Sequence, residues 1–144
     1  MPVDRSSATV VIAARLAEVL DAVRDVESQQ IWAKEITAAE VLEEYEDGTV
    51  ATARFTMVSG LGTDTYVLEY EHGPDSMSWT MVESQVLAGQ WGSYALRDLG
   101  DDRTEVTVTL EVDHAIHAPG FLRRRVFGRV VTHNAQGLKA YLEG

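Results

Sequence analysis

The chain has 144 residues, 45% hydrophobic and 24% charged, which are values of a globular domain and not of a disordered segment. It contains no cysteine, so disulfides, thiolate nucleophiles and Cys-based zinc sites are excluded. Its net charge of −11 sets the molecule as a whole against phosphate backbones, and no nucleic-acid partner is expected.

Residues 7–13 read as the first strand. The apolar run at residues 10–14 is closed by Arg15 and no cleavage pattern follows, so it is not a signal peptide. Nothing later reaches membrane-spanning length, so no stable membrane insertion and a cytoplasmic location are expected. From residue 14 the period changes. Leu16, Val19, Leu20 and Val23 fall at i, i+3, i+4 and i+7, an amphipathic helix to Arg24. A second short helix follows over about residues 26–32.

Alternation with period two then runs to about residue 116. Residues 37–45 end at Glu46-Asp47-Gly48, a hairpin signal of the Asp-Gly kind. Along residues 49–59, Ala51, Ala53, Phe55 and Met57 face one way and Thr52, Arg54 and Thr56 the other. Gly60-Leu61-Gly62 turns the chain, and Tyr66, Leu68 and Tyr70 share a face in the next strand. After His72-Gly73-Pro74-Asp75 come Met77, Trp79 and Met81. A strand over residues 89–99 carries Tyr94 and Leu96, with Trp91 on the opposite, outer face. Val106, Val108, Leu110 and Val112 alternate in the last strand. Six consecutive strands with short turns make an antiparallel meander with one apolar face.

Beyond Pro119-Gly120 the apolar residues return at every third or fourth place up to Leu142. This predicts a helix of about six turns, about 30 Å long. Its stripe has only the apolar face of the meander to pack against. The predicted fold is therefore α+β: a curved antiparallel sheet of seven strands around a long C-terminal helix, with two short helices between strands 1 and 2, in one domain over residues 1–144.

A twisted sheet curls around a helix, and a helix about 10 Å wide does not fill the concave face of seven strands. The remaining space is either an apolar pocket or a dry core. As a pocket, its ligand-binding walls would be Phe55, Met57, Tyr66, Leu68, Trp79, Met81, Tyr94 and Leu110 from the sheet. Val130 and Asn134 would come from the helix. Bulky aromatics, adaptable methionines and small alanines suit a mouldable pocket.

Four local patterns accompany this order: Asp25-Val26-Glu27 leading to Trp32, Gly92-x-Tyr94-x-Leu96, Arg103-Thr104-x-Val106, and Pro119-Gly120-Phe121-Leu122. With them, nearly the whole chain resembles the helix-grip superfamily of START domains, aromatic polyketide cyclases and Bet v 1-like proteins. Within it, the small bacterial cyclase/dehydrase-like group, related to coenzyme Q-binding proteins, is the most similar. The resemblance implies a cavity between sheet and long helix that takes a lipid, a quinone or an aromatic polyketide, and it adds Trp32 to the ligand-binding set. It implies no shared catalytic residue and no cofactor.

The candidate chemistry is sparse. Glu83 continues the parity of Trp79 and Met81 and would put a carboxylate at the pocket end, although a solvated carboxylate is ordinary so near a strand end. His114 shares the parity of Leu110 and Val112, with His117 three residues on. Without a helix to align them and without a third ligand, no metal site is expected. Asn134 falls in the apolar stripe and needs a partner, from ligand, water or backbone. Arg123, Arg124, Arg125 and Arg129 cluster on the helix, either as a solvated face or as a partner contact. A homodimer remains open. The expected function is non-catalytic binding of a small hydrophobic ligand, for transport or sensing. The alternative is a polyketide cyclase or dehydratase using Glu83, His114 or a tyrosine.

Overall fold

A computed structural model describes residues 3–85, 89–113 and 118–144. Strand β1 (Val3–Ile12) leads into α1 (Leu16–Arg24), a single 3-10 turn (Val26–Ser28) and α2 (Gln29–Trp32). Six strands follow: β2 (Ile36–Glu44), β3 (Val50–Ser59), β4 (Gly62–His72), β5 (Ser76–Ser84), β6 (Gly89–Gly100) and β7 (Arg103–Asp113). The chain ends in α3 (Gly120–Glu143). The seven strands form one antiparallel sheet in the order β1-β7-β6-β5-β4-β3-β2, so the meander is closed on one side by the first strand.

Strand β1 starts earlier than the alternation indicates, because its pairing with β7 runs from Val3 opposite Asp113 to Ile12 opposite Thr104. Backbone pairing extends the strand through polar residues that periodicity does not mark. The β2–β3 turn forms where Asp47 and Gly48 predict it. Gly48 has φ +87°, a conformation open to glycine at no steric cost, and the Asp47 carboxylate accepts hydrogen bonds from the Thr49 N–H and hydroxyl.

The concave face holds the core. Phe55, Tyr70, Met77, Tyr94, Val106, Val108 and Val112 from the sheet are at most 1% exposed, as is Leu138 of α3. Val126, Phe127, Val130, Val131 and Ala135 of the same helix are also buried. Full burial of one such aliphatic side chain contributes about 1.5–3 kcal/mol. Two residues at the ends of the predicted stripe face solvent: Phe121 is 62% exposed and Tyr141 is 43% exposed.

Polar ties fix how α3 crosses the sheet. At its start, Arg123 Nε donates to Asp4 of β1 at 3.0 Å, and this pair is nearly buried. In the middle, His133 Nδ1 and Glu35 Oε2 stand 2.5 Å apart. At its end, Lys139 donates to the Val11 carbonyl and to Glu143, whose carboxylate also takes the Ala13 N–H. The buried Thr104 hydroxyl donates to the Ala14 carbonyl and holds the entry to α1.

Two glycines of α3 test this packing with opposite signs. A Cβ on Gly137 would lie 1.9 Å from the Trp32 carbonyl oxygen, whereas one on Gly128 would meet nothing within 4 Å. Alanine in place of glycine normally stabilises a helix by about 1 kcal/mol. Gly128→Ala should follow that rule in urea denaturation. Gly137→Ala should instead destabilise by about 1–3 kcal/mol, because α2 and α3 must separate.

Candidate ligand cavity

A cavity remains between the concave face and the middle of α3. Its walls are Phe55 and Met57 of β3, Tyr66, Leu68 and Tyr70 of β4, Trp79 of β5, Gln90 and Tyr94 of β6, and Val108 and Leu110 of β7. Val130, Val131 and Asn134 of α3 close it, with Gln29 at the start of α2 and Ile36 at the start of β2. About 420 Å³ of non-atom space lies among these side chains and at the open mouth, but the centre of a water molecule can occupy only about 30 Å³ of it. One or two waters fit as the side chains stand. A larger guest has to displace side chains, and Met57 has the unbranched, rotatable chain for that.

Cross-strand pairing builds the aromatic wall. Phe55 and Tyr66 are register partners and stack at 5.8 Å. Tyr70 pairs with Trp79, with ring centroids 6.1 Å apart. Trp79 in turn lies opposite Gly92. A Cβ on Gly92 would sit 2.1 Å from Trp79 Cζ2, so the indole lies flat across the bare glycine and reaches Tyr94 at 5.4 Å. This gives the Gly92-x-Tyr94 pattern a steric cause.

The same wall carries polar atoms. The Asn134 side chain stands close enough to the Tyr94 hydroxyl to oppose the effect of burial on that phenol, so the polar group that faces Asn134 is a tyrosine of the sheet. Trp79 Nε1 is buried without a hydrogen-bond partner. Gln29 and Gln90 are buried as well. Among the described residues, the Tyr66 hydroxyl makes no hydrogen bond to protein. Burial pushes the phenols of Tyr66, Tyr70 and Tyr94 well above their ordinary range, and the Asp64 carboxylate adds to this at Tyr66. All three therefore stay neutral O–H donors at physiological pH.

A family model described as polyketide cyclase / dehydrase and lipid transport matches residues 4–143. The chain belongs to that family. Among solved structures, a START superfamily protein from Mycobacterium smegmatis is similar at 22% identity and a TM-score of 0.89, covering 96% of this chain and 97% of that one. The Zhui aromatase/cyclase from Streptomyces sp. R1128 is 17% identical with a TM-score of 0.84, over 99% and 94%. A protein from Thermus thermophilus is 21% identical with a TM-score of 0.78, over 96% and 94%. At these identities the likeness is one of fold. No curated protein sequence matches the chain.

In this member of the polyketide cyclase / dehydrase family, Phe55, Met57, Tyr66, Leu68, Trp79, Tyr94, Leu110, Val130 and Asn134 line the cavity together. Two residues of the predicted set do not. Trp32 is buried, donates from Nε1 to the Ser28 hydroxyl and meets Tyr94 edge-on at 6.4 Å. Its far side floors a shallow outer groove with Ile31, Gly137, Ala140 and Tyr141. Met81 is half-buried and packs on the core without lining the cavity.

Glu83 is exposed and not at the pocket end. Leu68 pairs with Met81 while Val67 pairs with Glu83, so Val82 is an extra residue in β5. That bulge breaks the parity on which the inward placement rests. His114 and His117 lie outside the described residues. Among the described residues, no group of three or more His, Asp or Glu comes together to hold a metal ion.

Tyr70, Gln90, Val108, Val131, Ile36 and Gln29 also line the cavity. Gln90 shares the parity of Gly92 and Tyr94 and is legible from it; Gln29 sits on a helix too short to show a face. Asp64 has the parity of Tyr66 and is buried, and its two oxygens accept hydrogen bonds from the Ser84 hydroxyl and the Gln85 N–H. It ties the end of β5 to the start of β4.

The tyrosines yield a pH prediction. Their raised folded-state pKa values leave stability untouched below about pH 10, the ordinary phenol value, and remove it as pH rises further, because the unfolded chain releases those protons first. Absorbance of the native protein at alkaline pH should report ionisation of at most two of the five tyrosines, the other three appearing only with alkaline unfolding. Early ionisation of a third would show that the cavity wall is wet.

Proposed function

We propose that the chain binds one molecule of a small hydrophobic compound bearing polar oxygen, such as a quinone, an aromatic polyketide or a lipid. The compound sits between sheet and α3, and the protein carries or senses it in the cytoplasm without transforming it. The observation that carries this reading is the chemistry of the cavity wall. A dry core needs no hydrogen-bonding groups, and burying unused ones is costly. Here an unpartnered indole N–H, the hydroxyls of Tyr66 and Tyr94 and the Asn134 amide are gathered among aromatic faces. Such a set would bind ring faces by stacking and carbonyl oxygens by donation.

A catalytic reading, cyclase or dehydratase, has the likeness to an aromatase/cyclase behind it but less chemistry. Glu83 faces solvent, and both oxygens of Asp64 are engaged in holding the end of β5. No carboxylate lines the cavity among the described residues.

Tryptophan fluorescence tests the binding reading, since Trp79 stands in the wall. Titration with a short-chain benzoquinone and with a fluorescent fatty acid should show saturable, one-to-one binding of at least one of them. Tyr94→Phe and Asn134→Leu should each weaken it by roughly threefold to tenfold, the worth of one hydrogen bond of about 1 kcal/mol, with the fold intact by circular dichroism. Absence of binding across such a panel, or variants that bind as well as the parent, would contradict the assignment.

A further inference from the structure

Charge is segregated along this chain. Residues 114–142 contain no Asp or Glu, although the whole chain has 23. Four of its twelve basic residues fall between positions 123 and 129. They stand in the first three turns of α3, and Arg123 closes the first turn, where the helix dipole disfavours cations. The first turn has no acidic residue, and Pro119 offers no side-chain cap.

The four arginines are not equivalent. Arg123 belongs to the fold through its buried pair with Asp4. Arg124, Arg125 and Arg129 are exposed and have no ion-pair partner among the described residues. Arg125 and Arg129 continue at i+4 and i+8 from Phe121, which is 62% exposed, so one helix stripe combines an aromatic ring with guanidinium groups. That stripe begins at the end of the sheet that carries the β3–β4 turn. The β3–β4 turn lies against the buried face of the same helix segment, Gly60 facing Val126 at 3.3 Å from an added Cβ. Met57, Tyr66 and Gln90 line the cavity close to the same ends of β3, β4 and β6.

We propose that this stripe is a docking face for an anionic phospholipid surface, holding this end of the cavity toward the bilayer. An exposed ring flanked by arginines is the chemistry of a helix lying at the interface, ring toward the acyl boundary and cations among the headgroups. The acidic remainder of the molecule keeps the contact transient and fixes its orientation, because only this pole is attracted. No helix is long and apolar enough to cross a membrane, so the contact is peripheral. It goes beyond the ligand-binding reading, and it is measured on protein without ligand, so either can fail alone.

Co-sedimentation with vesicles decides it. At low salt the protein should partition onto phosphatidylcholine vesicles containing phosphatidylserine, not onto phosphatidylcholine alone, and added salt should release it. The triple variant Arg124→Gln, Arg125→Gln, Arg129→Gln should lose at least tenfold in partitioning, and Phe121→Ser should lose several-fold. Circular dichroism and benzoquinone or fatty-acid binding should be unchanged in both, while Tyr94→Phe should dock as the parent does. Equal partitioning onto neutral and anionic vesicles, no partitioning at all, or a triple variant that docks normally would each overturn the proposal. So would capture of an acidic protein through these arginines by a chain that ignores vesicles.

Discussion

Seven strands turn their apolar residues to one side, and a single helix has to cover them. Everything else about the molecule follows from that mismatch. Alone, the sheet would expose Phe55, Tyr70, Met77 and Tyr94, side chains that are at most 1% exposed in the folded domain. Strand twist bends the sheet toward α3, yet a cylinder about 10 Å wide touches only part of a concave surface. Charged and polar ties at both ends of α3, to Asp4 at one and to Val11 and Ala13 at the other, hold it in this crossing. The cavity is what geometry leaves over, narrowed by aromatic side chains until little more than water fits.

The wall of that cavity is also where packing and chemistry share residues. The Trp79 indole occupies the place a side chain at Gly92 would take, and it carries an unpartnered N–H into the interior. Asn134 interrupts the apolar stripe of α3 and is met by Tyr94 across the gap. Buried polar groups of this sort are costly unless satisfied. A ligand that accepts hydrogen bonds would complete the set, which is the physical reason to read the space as a binding site.

Alternation made most of the fold legible from residues alone. The pattern of Ala53, Phe55 and Met57, or of Tyr66, Leu68 and Tyr70, states both the strand and its inner face, because period two has no other structural source. The same logic misled at Glu83, since an inserted residue in a strand leaves no mark in composition but reverses parity from that point on. Trp32 was misplaced for a different reason. It lies on a four-residue helix, too short for periodicity to assign a face, and its orientation is set by Ser28 and by the close passage of Gly137. That Asn134 needs a partner was readable; that the partner is Tyr94 depends on how helix and sheet meet, which no local pattern contains.

The most direct test is native mass spectrometry of protein purified from its own host, followed by solvent extraction of what accompanies it. The account predicts a single stoichiometric companion, apolar and carrying carbonyl or hydroxyl oxygen, released when the protein unfolds. Protein that arrives empty, and that then takes up neither quinones nor fatty acids in solution, would show that the aromatic wall is a closed core and would contradict the binding role.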